Sequence, residues 1–176
     1  TSDPTTQRGD LTTLRTGTGI PHALVSREGD AAYLIGPGYK SDFRPQPFVD
    51  RLDLSDGSTQ RIFEGATDSF DRPLVFLDPD EERLIVSRES MTDFPDSYLW
   101  EDGSWENLTN HVDPFPEVTA AQRIDFDFDR RDGLKVHGRV SLPTDYVEGE
   151  KVPAIFWTYP REYERPELYQ NAVVRS

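Results

Sequence analysis

The chain has 176 residues, a formal net charge of -14 at pH 7 and no cysteine. This charge repels phosphate backbones and anionic lipid, so we expect neither nucleic acid nor a membrane as a partner. Without cysteine the chain has no disulfides or thiolate metal sites. Its 35 % hydrophobic and 11 % aromatic residues are sufficient for a folded core.

Residues 1–19 are predicted to be an irregular lead-in. Their first ten residues, TSDPTTQRGD, contain no apolar stretch of the kind that a signal peptide needs. Either the protein is not exported or its natural start lies outside this sequence, and the compartment therefore stays open.

Short apolar runs alternate with Gly, Asp and Pro between residues 20 and 112, and helical periodicity is absent there. This pattern is typical of short antiparallel strands. The runs form two sets of four: HALVS (22–26), AAYLIG (31–36), PFVDRLDL (47–54) and TQRIFE (59–64), then PLVFL (73–77), RLIVSR (83–88), SYLWE (97–101) and WENLT (105–109).

The two sets share an Asp-Gly-Ser turn, at Asp56-Gly57 and at Asp102-Gly103, with an offset of 46 residues. Asp-Gly favours a tight hairpin, because glycine adopts a positive φ without a Cβ clash. Four strands repeating every ~40–50 residues are typical of β-propeller blades, so we predict two blades over 20–112. An eight-strand β-sandwich is the alternative. Trp100 and Trp105 flank the second turn and are predicted to pack across the two strands.

The pattern changes after a Pro-broken linker at 113–121. RIDFDFDRRDGLKVHGRVSLP (123–143) alternates apolar and polar residues on both sides of RRDG, which predicts a β-hairpin. Its Asp-rich strand does not match a Ca²⁺ loop, and we predict no metal or cofactor. AIFWTY (154–159) is apolar on both faces, as expected for a covered strand of an α/β sheet.

The order of these features resembles the prolyl-oligopeptidase family of serine peptidases, in particular its glutamyl endopeptidase and acylaminoacyl-peptidase-like branch. The similar stretches are PFVDRLDLSDGSTQRIFE, RLIVSRESMTDFPDSYLW and AIFWTYPREY, and the resemblance extends from about Gly19 onward. It implies a mainly β chain, with the last blades of a β-propeller followed by the first strands of an α/β-hydrolase domain. Residues 122–176 would then be the truncated N-terminal part of that domain.

The resemblance implies hydrolysis of oligopeptides by a Ser-Asp-His triad whose serine lies in a G-x-S-x-G turn. That motif does not occur in the 176 residues, and His22, His111 and His137 all precede its place in the family. We therefore expect a fragment that is inactive alone, whose parent binds a peptide. The remaining blades and hydrolase domain would come in cis or as another chain. A non-catalytic propeller-type binding or scaffold module and one chain of a split peptidase are the alternatives.

The resemblance also implies two site residues near the end of the sequence. Tyr159 matches a tyrosine whose hydroxyl helps to hold the oxyanion of the tetrahedral intermediate, although an ordinary strand-end aromatic is the alternative. Arg161 could bind a substrate carboxylate, which would fit cleavage after Glu. A surface ion-pair cluster with Glu162, Glu164 and Arg165 is the favoured interpretation of Arg161.

Overall fold

The computed structural model describes residues 3–15, 17, 19–42, 44–78, 80, 82–133 and 135–157. Strands predominate in these residues, and helix is limited to a 3-10 turn at Pro4–Thr6 and a single turn, α1, at Pro116–Thr119. None of the described helices is long and apolar enough to cross a membrane. The described residues fall into two units, one up to Val112 and one from Asp113 onward.

The first unit contains two four-stranded antiparallel sheets, none of them closed. The first sheet has the order β1-β4-β5-β6, and its strands are β1 (Asp10–Leu11), β4 (Ala31–Gly36), β5 (Phe48–Asp53) and β6 (Thr59–Glu64). The second sheet follows chain order, with β7 (Phe70–Asp78), β8 (Arg83–Glu89), β9 (Asp96–Glu101) and β10 (Ser104–Asn107). The four predicted strands of the second sheet are confirmed, and so are three of the four predicted for the first sheet.

The first strand of the first sheet differs from the prediction. It is β1, inside the stretch for which no regular structure was expected, and β2 (Thr13–Arg15) follows directly and pairs with β3 (Pro21–Ala23). The HALVS run therefore contributes β3 and one bridge from Val25 to Ala32 rather than a full strand. Strands of two or three residues are too short to show a two-residue alternation, so the sequence pattern could not reveal them.

The two Asp-Gly turns connect the third and fourth strands of their sheets, as predicted. Gly57 and Gly103 both have a positive φ, 75° and 80°. The turns differ in length, because β9 and β10 are joined by Asp102 and Gly103 alone, whereas five residues separate β5 from β6. Asp102 also has a positive φ of 45°, which fits the tight two-residue hairpin.

Large aromatic side chains from both sheets form the core of the first unit. Tyr33 of the first sheet contacts Phe76 of the second at 4.9 Å between ring centroids, and Phe63 meets Trp100 edge-on at 5.3 Å. The buried cluster consists of Leu24, Tyr33, Val49, Phe63, Phe76, Leu84, Val86 and Trp100. Trp105 lies directly opposite Trp100 in the register of β9 and β10, which confirms the predicted cross-strand pair.

The second unit contains the predicted hairpin, formed by β11 (Arg123–Asp129) and β12 (Lys135–Ser141). Phe126 lies opposite Gly138, and its ring covers the glycine so closely that an added Cβ would lie 2.5 Å from it. The apolar residues of β11, which alternate with aspartates, remain about half exposed.

The predicted strand at 154–159 is wrong for its described part, because residues 154–157 adopt no strand. Ile155, Phe156 and Trp157 are 97 %, 90 % and 84 % exposed. A strand requires backbone hydrogen bonds to a neighbour, and no described strand pairs with this segment. Residues 158 and 159 lie outside the described residues.

Truncation of the sheet-to-sheet contact should destabilise the first unit. Phe63 is 2 % exposed and contacts Trp100 and Trp105, so Phe63→Ala should lower the free energy of unfolding by about 3–5 kcal/mol. Val75→Ala, at a half-exposed position of β7, is the control and should cost below about 1 kcal/mol. Urea denaturation followed by tryptophan fluorescence measures both, and equal losses would contradict the assigned core.

Candidate functional site

The site residues implied by the sequence resemblance, Tyr159 and Arg161, lie outside the described residues. His22 is an exposed residue of β3, and His137 lies in β12 opposite Asp127. The His111 ring nitrogen Nδ1 lies 3.3 Å from the carbonyl oxygen of Pro95 and 3.8 Å from Asp96. These contacts join His111, which follows β10, to the residues at the start of β9.

A buried ion pair organises one end of the second sheet. Asp71 at the start of β7 is completely buried and lies opposite Arg88 near the end of β8. The Arg88 guanidinium donates two hydrogen bonds to the Asp71 carboxylate, at 2.7 and 2.8 Å. Such a two-point contact fixes the guanidinium in orientation as well as in distance.

The Asp71 carboxylate also holds the segment that leads from the first sheet into the second. The Ala66 backbone N–H and the Ser69 hydroxyl each donate to it at 2.9 Å. The Gly65 N–H in turn donates to the Pro47 carbonyl at 2.8 Å, just before β5. Asp71 thus joins the sheet-to-sheet connection to the strands on both sides of it.

Arg88 is held from its other side by aromatic rings. Its guanidinium carbon lies 3.8 Å from the centroid of the Trp105 ring and 5.9 Å from that of Tyr98. A cation over an aromatic face is attracted by the negative face of the ring. Arg88, in β8, therefore contacts side chains of β7, β9 and β10.

The pKa values of the pair move apart. Burial raises the pKa of Asp71, but the hydrogen bonds from Arg88, Ala66 and Ser69 outweigh it and hold the pKa below its ordinary value of 3.8. The hydrogen bond to Asp71 raises the pKa of Arg88, and the nearby charge of Asp68 adds to this rise. Both groups are therefore charged at neutral pH.

A cavity of about 330 Å³ lies beside this ion pair. Its walls come from the connection that precedes β7, from β8, from the chain between β8 and β9, and from β9 itself. The lining residues are Asp68, Ser69, Arg88, Ser90, Asp93, Phe94 and Tyr98. This volume is at the lower end of the range for small-ligand sites, so the cavity could hold one side chain or one small molecule.

Asp96 closes the same end of the sheet. Its carboxylate accepts hydrogen bonds from the Asn107 amide, the Thr109 hydroxyl and the backbone N–H groups of Ser97 and His111. Desolvation raises the pKa of Asp96, but the hydrogen bonds from these four donors outweigh it and lower the pKa to about 2. The residue ties the start of β9 to β10 and to the chain beyond it.

The described residues hold no group of three or more His, Asp or Glu side chains that could bind a metal ion. On the Asp-rich strand β11, the Asp125 carboxylate instead accepts two hydrogen bonds from Arg139 of β12, at 2.7 and 3.1 Å. Arg139 lies directly opposite Asp125 in the hairpin register, so this is a cross-strand ion pair.

Two curated plant proteins are similar to this chain over most of its length. It is 27 % identical over 159 residues to the probable glutamyl endopeptidase, chloroplastic, of Arabidopsis thaliana, covering 81 % of this chain and 16 % of the plant protein. It is 24 % identical over 156 residues to the protein of the same name from Oryza sativa subsp. japonica, covering 81 % and 17 %. The chain spans about one sixth of the length of these relatives.

Structure comparison matches the AtxE2 isopeptidase, once as a variant with Astexin3-dC4 bound and once as the apo protein. The first match has 16 % identity and a TM-score of 0.42, the second 18 % identity and a TM-score of 0.38. Each covers 81 % of this chain and 23 % of the isopeptidase. No family model matches the chain.

Loss of the buried carboxylate should destabilise the second sheet at neutral pH. Asp71→Asn removes the charge that faces Arg88, and because Arg88 is 30 % exposed the cost should be about 2–4 kcal/mol, somewhat below that of a fully buried pair. Glu101→Gln is the control in the same sheet, since its pair with Arg83 is long at 3.5 Å and half exposed, and it should cost about 0–1 kcal/mol.

The same variant has a predictable pH dependence. Because the folded pKa of Asp71 is lowered, its contribution is fully present above the unfolded value of about 3.8 and is lost as the pH falls through the folded value. The stability difference between wild type and Asp71→Asn should stay constant from neutral pH to about pH 5 and shrink below about pH 4. Urea titrations over this range measure it, and a difference that grows on acidification would contradict the assigned charge state.

Proposed function

We propose that this chain is part of a serine peptidase that hydrolyses oligopeptides, and that it contains the last two blades of a β-propeller and the start of an α/β-hydrolase domain. The observation that carries the proposal is the 27 % identity to a probable glutamyl endopeptidase over 81 % of the chain. Two successive four-stranded antiparallel sheets, followed by a hairpin in a separate unit, are compatible with it.

Further blades would have to accompany this chain. A propeller closes by radial repetition of four-stranded sheets, usually four to eight of them, and two sheets cannot form a ring. Each blade is stabilised by the neighbour that covers its face. The remaining blades and the rest of the hydrolase domain are therefore proposed as partners, in cis or as another chain.

The chemistry is proposed to lie outside these 176 residues. They contain no G-x-S-x-G motif, which in this class of fold presents the nucleophilic serine on a sharp turn between strand and helix. The chain alone should accordingly be inactive. The competing proposals are a non-catalytic propeller-type module and one chain of a split peptidase.

A serine-directed fluorophosphonate probe separates these proposals. The isolated chain should not be labelled, because an unactivated serine hydroxyl does not react at an appreciable rate. The longer protein that contains this sequence should be labelled once per molecule and should cleave fluorogenic oligopeptides.

Absence of labelling and of cleavage in the longer protein would favour the non-catalytic module. Labelling that appears only when a second, separately encoded chain is added would favour the split peptidase. Stoichiometric labelling of the isolated chain would refute the proposal that the triad lies elsewhere.

Tyr159 is proposed to donate its hydroxyl to the oxyanion in the parent enzyme. Since such a donor acts mainly in the transition state, Tyr159→Phe should lower kcat by roughly one to three orders of magnitude while KM and stability stay nearly unchanged. Tyr163→Phe, four residues further along the sequence, is the matched control. Steady-state kinetics of the full-length protein provide the measurement, and equal kcat values for wild type and Tyr159→Phe would leave the residue without a catalytic role.

Arg161 has two proposed roles. In the first, its guanidinium binds the carboxylate of a substrate glutamate, and in the second it belongs to a surface ion-pair cluster with Glu162, Glu164 and Arg165. The two glutamates and the second arginine within four positions of Arg161 favour the second.

A further inference from the structure

The cavity beside the Asp71–Arg88 pair has an acidic and aromatic lining. Asp68 and Asp93 contribute two carboxylates, and Phe94 and Tyr98 contribute two rings. Phe94 is 38 % exposed, so part of its ring is available for contact. Carboxylates combined with aromatic faces are the surroundings in which an organic cation is stabilised.

The positive charge of Arg88 does not make the surroundings of the cavity positive overall. Its Nε and Nη2 atoms donate to Asp71, at 2.7 and 2.8 Å, and its face lies on Trp105. The Asp71 carboxylate therefore compensates the guanidinium charge locally, and Asp68 and Asp93 leave the surroundings of the cavity with a negative excess. The chain's net charge of -14 adds a long-range attraction for cations.

The two carboxylates differ in what already binds them. The Asp93 carboxylate accepts hydrogen bonds from the hydroxyls of Ser90 and Thr92, which fixes its position in the β8–β9 connection. Asp68 is exposed and has no hydrogen-bond partner among the described residues, although its charge contributes to the raised pKa of Arg88. Asp68 is thus the group that a ligand could engage without breaking an existing hydrogen bond.

We propose that this cavity binds the cationic side chain of a peptide, the ammonium of lysine or the guanidinium of arginine. The cation would lie between the Asp68 and Asp93 carboxylates, with its alkyl stem against Phe94 and Tyr98. The inference rests on the proposed peptidase function, because that function is what makes an oligopeptide the ligand. The cavity would add to the proposed peptidase a contact that favours peptides containing a lysine or an arginine.

The test uses direct binding to the 176-residue chain and requires no catalysis. N-acetyl-lysine methylamide is titrated while backbone amide chemical shifts are followed by NMR. N-acetyl-norleucine methylamide, which has a similar stem without the charge, and N-acetyl-glutamate methylamide are titrated in parallel. The lysine probe should cause saturable shifts at residues 68–69, 88–94 and 98, and added salt should weaken its binding.

Asp68→Asn should raise the Kd of the lysine probe about two- to fivefold, as expected for one partly exposed ion pair. Asp145→Asn makes the same charge change at an exposed position in the second unit and should leave Kd unchanged. Both substitutions should leave the amide spectrum otherwise intact, since neither side chain has a hydrogen-bond partner among the described residues.

Saturable binding of the glutamate probe at these positions would overturn the proposal and assign the cavity to an anion at Arg88. Three other results would overturn the proposal. They are equal affinity for the lysine and norleucine probes, an unchanged Kd in Asp68→Asn, and no binding of the lysine probe.

Failure of the proposed function is detected separately, by the labelling and cleavage of the longer protein. If the lysine probe binds but the longer protein has no peptidase activity, the cation site is retained. Only the proposal that its ligand is a peptidase substrate is then lost.

Discussion

The ion pair between Asp71 and Arg88 is the interaction on which the described arrangement depends most. A completely buried carboxylate is stable only where donors surround it, and here a guanidinium, a hydroxyl and a backbone N–H do so. The carboxylate fixes the connection between the two sheets, and the guanidinium fixes β8 against Trp105. Two of the residues that the pair holds in place, Ser69 and Arg88 itself, line the cavity.

Aromatic packing joins the two sheets of the first unit, and the charged groups lie toward one end of the second sheet. The rings of Tyr33, Phe63, Phe76 and Trp100 join the two sheets and are largely removed from water. Toward the end of the second sheet the same layer continues through Trp105 and Tyr98, which contact the Arg88 guanidinium. The aromatic layer thus reaches the lining of the cavity through Tyr98 and Arg88.

In the peptidase proposed above, the described strands would supply shape and selection, and bond cleavage would belong to residues elsewhere in that protein. A β-sheet scaffold suits that task, since its backbone hydrogen bonds are satisfied within the sheets and its connecting loops are left to carry the recognition. The acidic and aromatic lining of the cavity lies on such loops and at the adjoining strand ends.

The sequence by itself determined the second sheet, three strands of the first sheet, the Asp-Gly turns and the hairpin at 123–143, because two-residue alternation and turn chemistry are local signals. It did not reveal β1 and β2, which are too short to show alternation. It also predicted a strand at 154–159, whose described part, 154–157, forms none, because an apolar run alone cannot supply a hydrogen-bonded neighbour. The pairing of Asp71 with Arg88 and the position of Asp68 beside them were decided only by the tertiary structure. Many aspartates and arginines alternate along this chain, and only the strand register determines which of them face each other across 17 residues.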